Sequence, residues 1–595
     1  MTAVDLSAAA VFVVLAVFLF MNLKNGIGVP DESFYLTIPH RVFGGDGLIS
    51  DEWHVSQFSS FIQYPFYALF RRLTGSTDGI ILFFRYLYVF FQLICTAVCW
   101  SAFRKYGFKG LAGLACFAFF IPVTVMSVSY HTVSLWAAMI LASAFLRERK
   151  PGRFLLFLYG VLIALEVLSQ PLTAVLWFAY TVAVCYYAVR MKRKGIRPPF
   201  PMRGRTFLYL LSGIMLTAAL FLLYLFKNNS LSEIFANIGY LFTEENHNFI
   251  SGDFLLPTQS VLRAVELYGI VPSIGIAVLT VLTAAAKKYR ETLKPFFAAA
   301  LLFFTVFAVI KACRAMKDTS CYTLLINYFG IPVFLAGPVC MLLLRNPRKE
   351  LTSVWWFLFF VGLLTDISSD ILIGSAAVAA GAASVILLLL VSEECIKELR
   401  QTDKAGRKTA ACVTALCLLL TFTANAAFQT VYDINTVRKP LIEAYTALDN
   451  CGGKTDTVIT DGPLKGIRTT ATIYRIYGAY LADLDTVASA CGGAVYIYGL
   501  YGYLYLYLRD TPSAAYSAWH TAGDEERMNA YFDAHPDKQP EYVYVPFYYA
   551  FTYRTPVTRL YDSTPQEKLD ELTQRFDCEV EKGKAGYIVR IRSPL

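Results

Sequence analysis

The chain has 595 residues, of which 56% are hydrophobic and 16% charged, and a formal net charge of +9. Soluble domains hold an apolar share near one half and a charged share near one quarter, so a wholly soluble enzyme is excluded. The basic excess sits in short loops between apolar runs instead of on one soluble face, which excludes a nucleic-acid partner.

Mean hydropathy of +0.49 averages two unlike parts. Residues 1–428 are a succession of apolar runs, whereas from Asp433 onward acids slightly outnumber bases. A crossing helix needs about 20 apolar residues. On that measure spans are predicted near 6–23, 80–103, 109–126, 131–146, 154–169, 171–189, 206–226, 265–286, 295–311, 320–344, 351–366, 370–392 and 409–428, about thirteen in all. The first run lacks a basic leader and a small-residue cleavage site, so it reads as a retained span.

Charge tests this layout independently. With a cytoplasmic N-terminus, each even-numbered span ends at a basic loop, from Arg104/Lys105/Lys109 through Arg147–Arg153 and Arg190–Arg205 to Lys397–Lys408. The outer turns at 127–130, 169–170 and 366–370 carry no base. That alternation is the positive-inside pattern. It predicts a multi-pass cell-membrane protein with an all-α membrane domain (1–428), long outer loops at 24–78 and 227–264, and an extracytoplasmic domain (429–595). In the last, after the linker Gln429–Pro440, helix-like Leu441–Leu448, Glu525–Ala534 and Pro565–Phe576 alternate with strand-like Thr457–Thr460, Ala494–Tyr498 and Glu541–Val545. A hairpin closes around Gly583, which together reads as a small α/β domain. A Cys451–Cys491 disulfide is open there, and no cysteine spacing matches a zinc site.

Chemistry-bearing residues gather in the outer loops. Directly after the first span comes Val29-Pro-Asp31-Glu32-Ser-Phe-Tyr35. Paired carboxylates where the chain leaves the bilayer can take a proton, hold a hydroxyl or bind a divalent cation; a plain helix cap at Asp31 is the simpler reading. Trp53, Tyr64 and Tyr67 either stack on a sugar ring or anchor at headgroup depth, and His54 and Gln57 lie beside them. His131 and Gln170 stand at outer span ends, and Glu244-Glu245-Asn-His247 in the second long loop. The loop Lys311-Ala-Cys-Arg314-Ala-Met-Lys317 breaks the charge rule by being basic on the outer side. It and Arg85, an arginine inside an apolar run, can meet a lipid-linked phosphate, although headgroup snorkelling serves equally.

Asp-Glu-x-x-Tyr after span one resembles the signature of polyprenyl-phosphate-dependent membrane glycosyltransferases of the GT-C class, among them protein O-mannosyltransferases and the aminoarabinose transferase acting on lipid A. Gly45-Asp46 ahead of an amphipathic stretch, Tyr64-Pro-Phe-Tyr67 in place of a Pro-Pro-Leu-Tyr-like element, Arg85, Ser129-Tyr-His131-Thr and Leu168-Ser-Gln170-Pro resemble further elements of that class. The resemblance implies a GT-C-like fold and inverting transfer from a polyprenyl-phosphate-linked sugar to an envelope glycan, lipid or protein. Asp31 would be the base and Glu32 its support. Donor phosphate would meet Arg85, Lys311, Arg314 and Lys317, and Tyr35, Trp53, His54, Gln57, His131, Gln170, Glu245 and His247 would bind sugar or acceptor. A transporter or flippase is the alternative, against which stand the lack of an inverted repeat and of paired broken spans.

Overall fold

The structure is a computed structural model. It describes residues 2–26, 30–121, 125–147, 151–193, 203–242, 290–318, 336–346, 348–367, 374–402, 404–438, 456–499, 501–508, 511–518, 525–547 and 564–594, together with 275, 278 and 282. Helix α1 (Ala3–Asn22) opens with a reciprocal Thr2–Asp5 capping box and, at 20 residues, is about 30 Å long. Its apolar Leu6, Val13, Val14, Val17 and Phe20 are exposed while Leu15 and Leu19 are buried, the division expected of a helix with lipid on one side and protein on the other. Two helices of the first long loop follow, α2 (Pro30–Gly44) and α3 (Ser60–Thr74).

The membrane part continues with α4 (Ile80–Phe103), α5 (Phe108–Ala118), α6 (Tyr130–Leu146), α7 (Arg153–Ser169), α8 (Ala174–Arg193), α9 (Gly204–Leu225) and the short outer helix α10 (Leu231–Asn237). After it come helices Arg290–Asp318, Lys349–Ile367, Gly374–Gln401 and Ala405–Arg438. Among the described residues, five helices are long and apolar enough to cross a membrane. The predicted spans at 265–286 and 320–344 lie mostly outside the described residues.

Among the predicted boundaries that differ, two bear on the fold. The third apolar run was expected to stay helical to residue 126, but α5 ends at Ala118. Pro122 supplies no amide to continue the ladder, and Gln92 Nε2 of α4 takes the freed carbonyl of Ala118 at 2.8 Å. The chain then runs non-helical through Phe120, Ile121 and Val125–Ser129, all buried, which membrane depth tolerates where protein covers the backbone. The last membrane helix runs to Arg438, through most of the predicted linker.

Glycine permits the closest helix crossing. A Cβ on Gly160 of α7 would fall 2.0 Å from the Leu210 carbonyl oxygen of α9, and one on Gly213 2.1 Å from that of Phe157, so the two backbones touch as small-residue membrane interfaces do.

The terminal domain is α/β. Strands β1 (Thr457–Val458) and β2 (Arg468–Thr469) pair with each other, while β3 (Ala494–Ile497), β4 (Pro540–Pro546), β5 (Phe576–Lys582) and β6 (Gly586–Pro594) form a sheet ordered β3-β4-β6-β5. β3 is parallel to β4, and β6 antiparallel to β4 and β5. Helices Ala471–Ala490 and Thr564–Arg575 pack on it; the first of them was not anticipated. Cys451 lies outside the described residues, and Cys491 Sγ stands 3.2 Å from the Gly493 carbonyl oxygen.

This domain sits against the exit of α1 and the entry of α4. The Arg468 amide donates to the Lys24 carbonyl at 2.7 Å and the Gly26 amide to that of Arg468 at 2.8 Å, at the exit of α1. The Gly79 amide donates to Gly462 at 2.9 Å, at the entry of α4. Helix Gly502–Tyr507 lies on α2 so closely that a Cβ at Gly502 would come 2.9 Å from both the Phe34 amide nitrogen and Ser33 Oγ.

Candidate functional site

Proline is favoured at a first helical position because its missing N–H would have no partner there, and α2 begins at Pro30. Asp31 and Glu32 therefore occupy the first turn, where the helix dipole favours negative charge; Asp31 lies within the helix and is not the residue preceding it. Glu32 is buried, and its carboxylate is held fork to fork by Arg85 of α4, Nε to Oε1 at 2.6 Å and Nη2 to Oε2 at 2.7 Å. The other Arg85 donors go to the carbonyls of Leu23 (2.8 Å), Asn25 (3.4 Å) and Gly26 (2.9 Å). All five guanidinium N–H groups are thus used within the protein. Arg85 has no donor left for a lipid phosphate, and its predicted role is corrected to clamping the turn that carries Asp31. The backbone it grips at Gly26 is the one that pairs with Arg468.

Tyr35, one turn further along α2, packs edge-on against Tyr130 at 5.2 Å between centroids, with His131 at 6.4 Å. Tyr35 and His131, predicted from distant segments, are brought together. Gln170 is buried at the end of α7, its backbone N–H donating to the Glu166 carbonyl at 2.7 Å.

Three predicted sugar contacts are instead structural. Trp53 is fully buried, stacked on Tyr240 at 3.9 Å and 8° with Tyr531 against its edge, so no face is open to a sugar. Gln57 spends both ends of its amide on the loop, accepting from the Ile49 amide at 2.6 Å and donating to the Glu52 carbonyl at 2.8 Å. It thereby supports Ile49, a β-branched residue at φ 70°, a conformation that persists only where surrounding bonds hold it. His54 Nδ1 caps the next short turn, accepting from the Ser56 amide at 3.1 Å. Lys311, Arg314 and Lys317 fall in the last turns of helix Arg290–Asp318, but their side chains lie outside the described residues, as does that of Asp31. Glu245 and His247 are outside them altogether.

A charged cluster in the same loop was missed. Arg41 Nε bonds Asp46 Oδ2 at 2.8 Å, Nη1 bonds Glu52 Oε2 at 2.9 Å, and Nη2 reaches Tyr531 OH at 3.3 Å. Lys538 Nζ of the terminal domain bonds Asp46 Oδ1 at 2.5 Å, and Arg527 Nη2 bonds the Trp53 carbonyl at 2.9 Å. Burial would raise Asp46, but Arg41 and Lys538 hold it below the usual carboxylate range. Burial pushes Glu52 up to about 7 despite Arg41, because it has a smaller share of that cation. Asp46 was visible as an acidic loop residue; its partners are Arg41, five residues away, and Lys538, hundreds of residues away. Among the described residues no group of three or more His, Cys, Asp or Glu could hold a metal ion.

No protein-family model matches the sequence, and no curated protein does. Among solved structures the chain is similar to ArnT from Cupriavidus metallidurans bound to undecaprenyl phosphate, at 13% identity over 99% of this chain and 98% of that one, with a TM-score of 0.47. It is also similar to the apo state of the same protein, at 13% identity over 98% and 97% with a TM-score of 0.42.

Proposed function

We propose that this chain is a membrane glycosyltransferase that moves a sugar from a polyprenyl-phosphate-linked donor to an acceptor hydroxyl on the outer face, with inversion. The observation that carries the reading is the Glu32–Arg85 clamp, which fixes the first turn of α2, and with it Asp31, at the outer end of the first span. The Asp-Glu-x-x-Tyr resemblance points to the same residues.

Attack at an anomeric carbon needs a proton acceptor on one side and a stabilised leaving phosphate on the other. Asp31 takes the acceptor proton as the new glycosidic bond forms, and the bond to the lipid phosphate breaks with its electrons retained by that phosphate. Glu32 stays on Arg85 throughout and serves as a positioning group. Lys311, Arg314 and Lys317, on the helix whose basic end breaks the charge rule, are the cations proposed to meet the phosphate, by bidentate contact from the arginine and point charge from the lysines. An envelope glycan, lipid or protein supplies the hydroxyl.

The test is the lipid fraction of cells without the protein. A polyprenyl-phosphate-linked sugar should accumulate, and the same species should accumulate when only Asp31→Asn is expressed. Normal clearance of that lipid by the Asp31→Asn protein would remove Asp31 from the mechanism, and no accumulation in either strain would favour a transporter or scaffold.

A further inference from the structure

At the segment leading into α6, two buried side chains from different elements present polar atoms with no partner among the described residues. Gln63 of α3 is 1% exposed; its amide nitrogen donates to the Val128 carbonyl at 2.5 Å, which leaves Oε1 without a hydrogen bond. Ser127, one residue before that carbonyl, is 0% exposed, and its hydroxyl is also unbonded. Buried polar atoms of this kind are few in a folded protein, and each costs on the order of 1–3 kcal/mol unless something meets it.

The surrounding backbone is firmly pinned. Thr132 Oγ1 donates to the Ser127 carbonyl at 2.8 Å and accepts from the Ser129 amide at 2.8 Å. Gln63 secures the next carbonyl. The stretch is the non-helical one between α5 and α6, and irregular backbone at membrane depth is tolerated where protein buries it or where it lines a cavity. Every backbone carbonyl from Ser127 to Ser129 has a partner, Ser129's being the Val133 amide at 3.0 Å. The two side-chain oxygens remain.

We propose that Gln63 and Ser127 form a hydroxyl-recognition subsite for the sugar of the lipid-linked donor. Gln63 Oε1 can only accept a hydrogen bond, and the Ser127 hydroxyl can both give and accept, so together they match a pair of sugar hydroxyls. The two lie where α3 meets the segment leading into α6. The proposal rests on the glycosyltransferase reading and adds what selects the sugar.

The test uses the full-length protein in lipid nanodiscs and compares its affinity for bare undecaprenyl phosphate with that for a panel of undecaprenyl-phosphate-linked monosaccharides. At least one member should bind more tightly than the bare lipid. The Gln63→Leu/Ser127→Ala variant should lose that gain, about tenfold, with bare-lipid affinity unchanged, and Gln63→Glu, which keeps an acceptor oxygen, should recover part of it. Should Gln63→Leu fail to fold, Ser127→Ala and Gln63→Glu carry the measurement. A gain that survives these changes, or a wild-type protein that gains nothing from any sugar while still binding bare lipid, overturns the subsite alone. Failure to bind any of these lipids overturns the donor reading and the subsite with it.

Discussion

Two buried ionic groups lie in the same loop, the one between α1 and α4, and are built on different plans. At its membrane edge one carboxylate, Glu32, meets one guanidinium, and every remaining donor of Arg85 ends on a backbone carbonyl. At its outer end Arg41 and Lys538 are shared among Asp46, Asp51 and Glu52, with half the partners coming from the terminal domain. A saturated pair is a fixed joint: changing either member leaves a buried charge with nothing to answer it. A shared cluster has slack, and one carboxyl, Glu52, is poised near neutrality. The first plan suits a residue that must hold a reacting neighbour in one place; the second suits a seam between two parts of a chain.

The sharpest way to separate the two is at the turn the first one holds. Asp31→Asn should lower sugar transfer by about 10²- to 10⁴-fold, the range for loss of a general base, with thermal unfolding unchanged; a rate within twofold of normal would sever the clamp from the chemistry. Arg85→Met strands the Glu32 charge and should destabilise the protein by about 3–5 kcal/mol, seen as a lower unfolding temperature in detergent. Adding Glu32→Gln should return most of it, since the unanswered charge is then gone.

The seam should instead respond to pH. The Glu52 carboxyl titrates near 7 in the folded protein against 4.5 ordinarily. The folded state therefore holds its proton more tightly, and that contribution is complete below about pH 4.5 and lost as pH rises to about 7, on the order of 3 kcal/mol in all. Protease nicking of the terminal domain should rise between pH 5 and pH 7.5, and Glu52→Gln should flatten that rise. Asp46, held low, acts in the opposite sense and only below its ordinary value of 3.8. A seam equally resistant at both pH values would show that Glu52 does not take part. The smallest effect is expected at Gly502→Ala. The added methyl meets the backbone of α2, which should cost about 1–3 kcal/mol of docking and appear as the same nicking at every pH.

What the sequence made legible follows from the range of the forces involved. Apolar run length and loop charge are local, so α1, α4, α6, α7, α8 and α9 lie close to their expected positions, as do β3, β4 and the β5–β6 hairpin. The end of α5 was hidden because Phe119–Ile121 continue the apolar run while the helix stops. Glu32 and Arg85 were each singled out, one for its motif and one for being charged in an apolar run, yet nothing local told that they were partners. Trp53 looked exposed because a polar, aromatic loop does; Tyr240, Tyr516 and Tyr531, which pack against it, lie far along the chain.

The seam also sets an order of events during synthesis. Arg41 and Tyr531 are 490 residues apart, which at about 5–20 residues per second is roughly 25 to 100 seconds of translation. Through that interval the first loop has already been made, with Arg41, Asp46 and Glu52 lacking their late-made neighbours. The docked arrangement is thus complete only once the last stretch of the chain has been made and folded, and a ribosome that stops early leaves the first loop without its late-made covering.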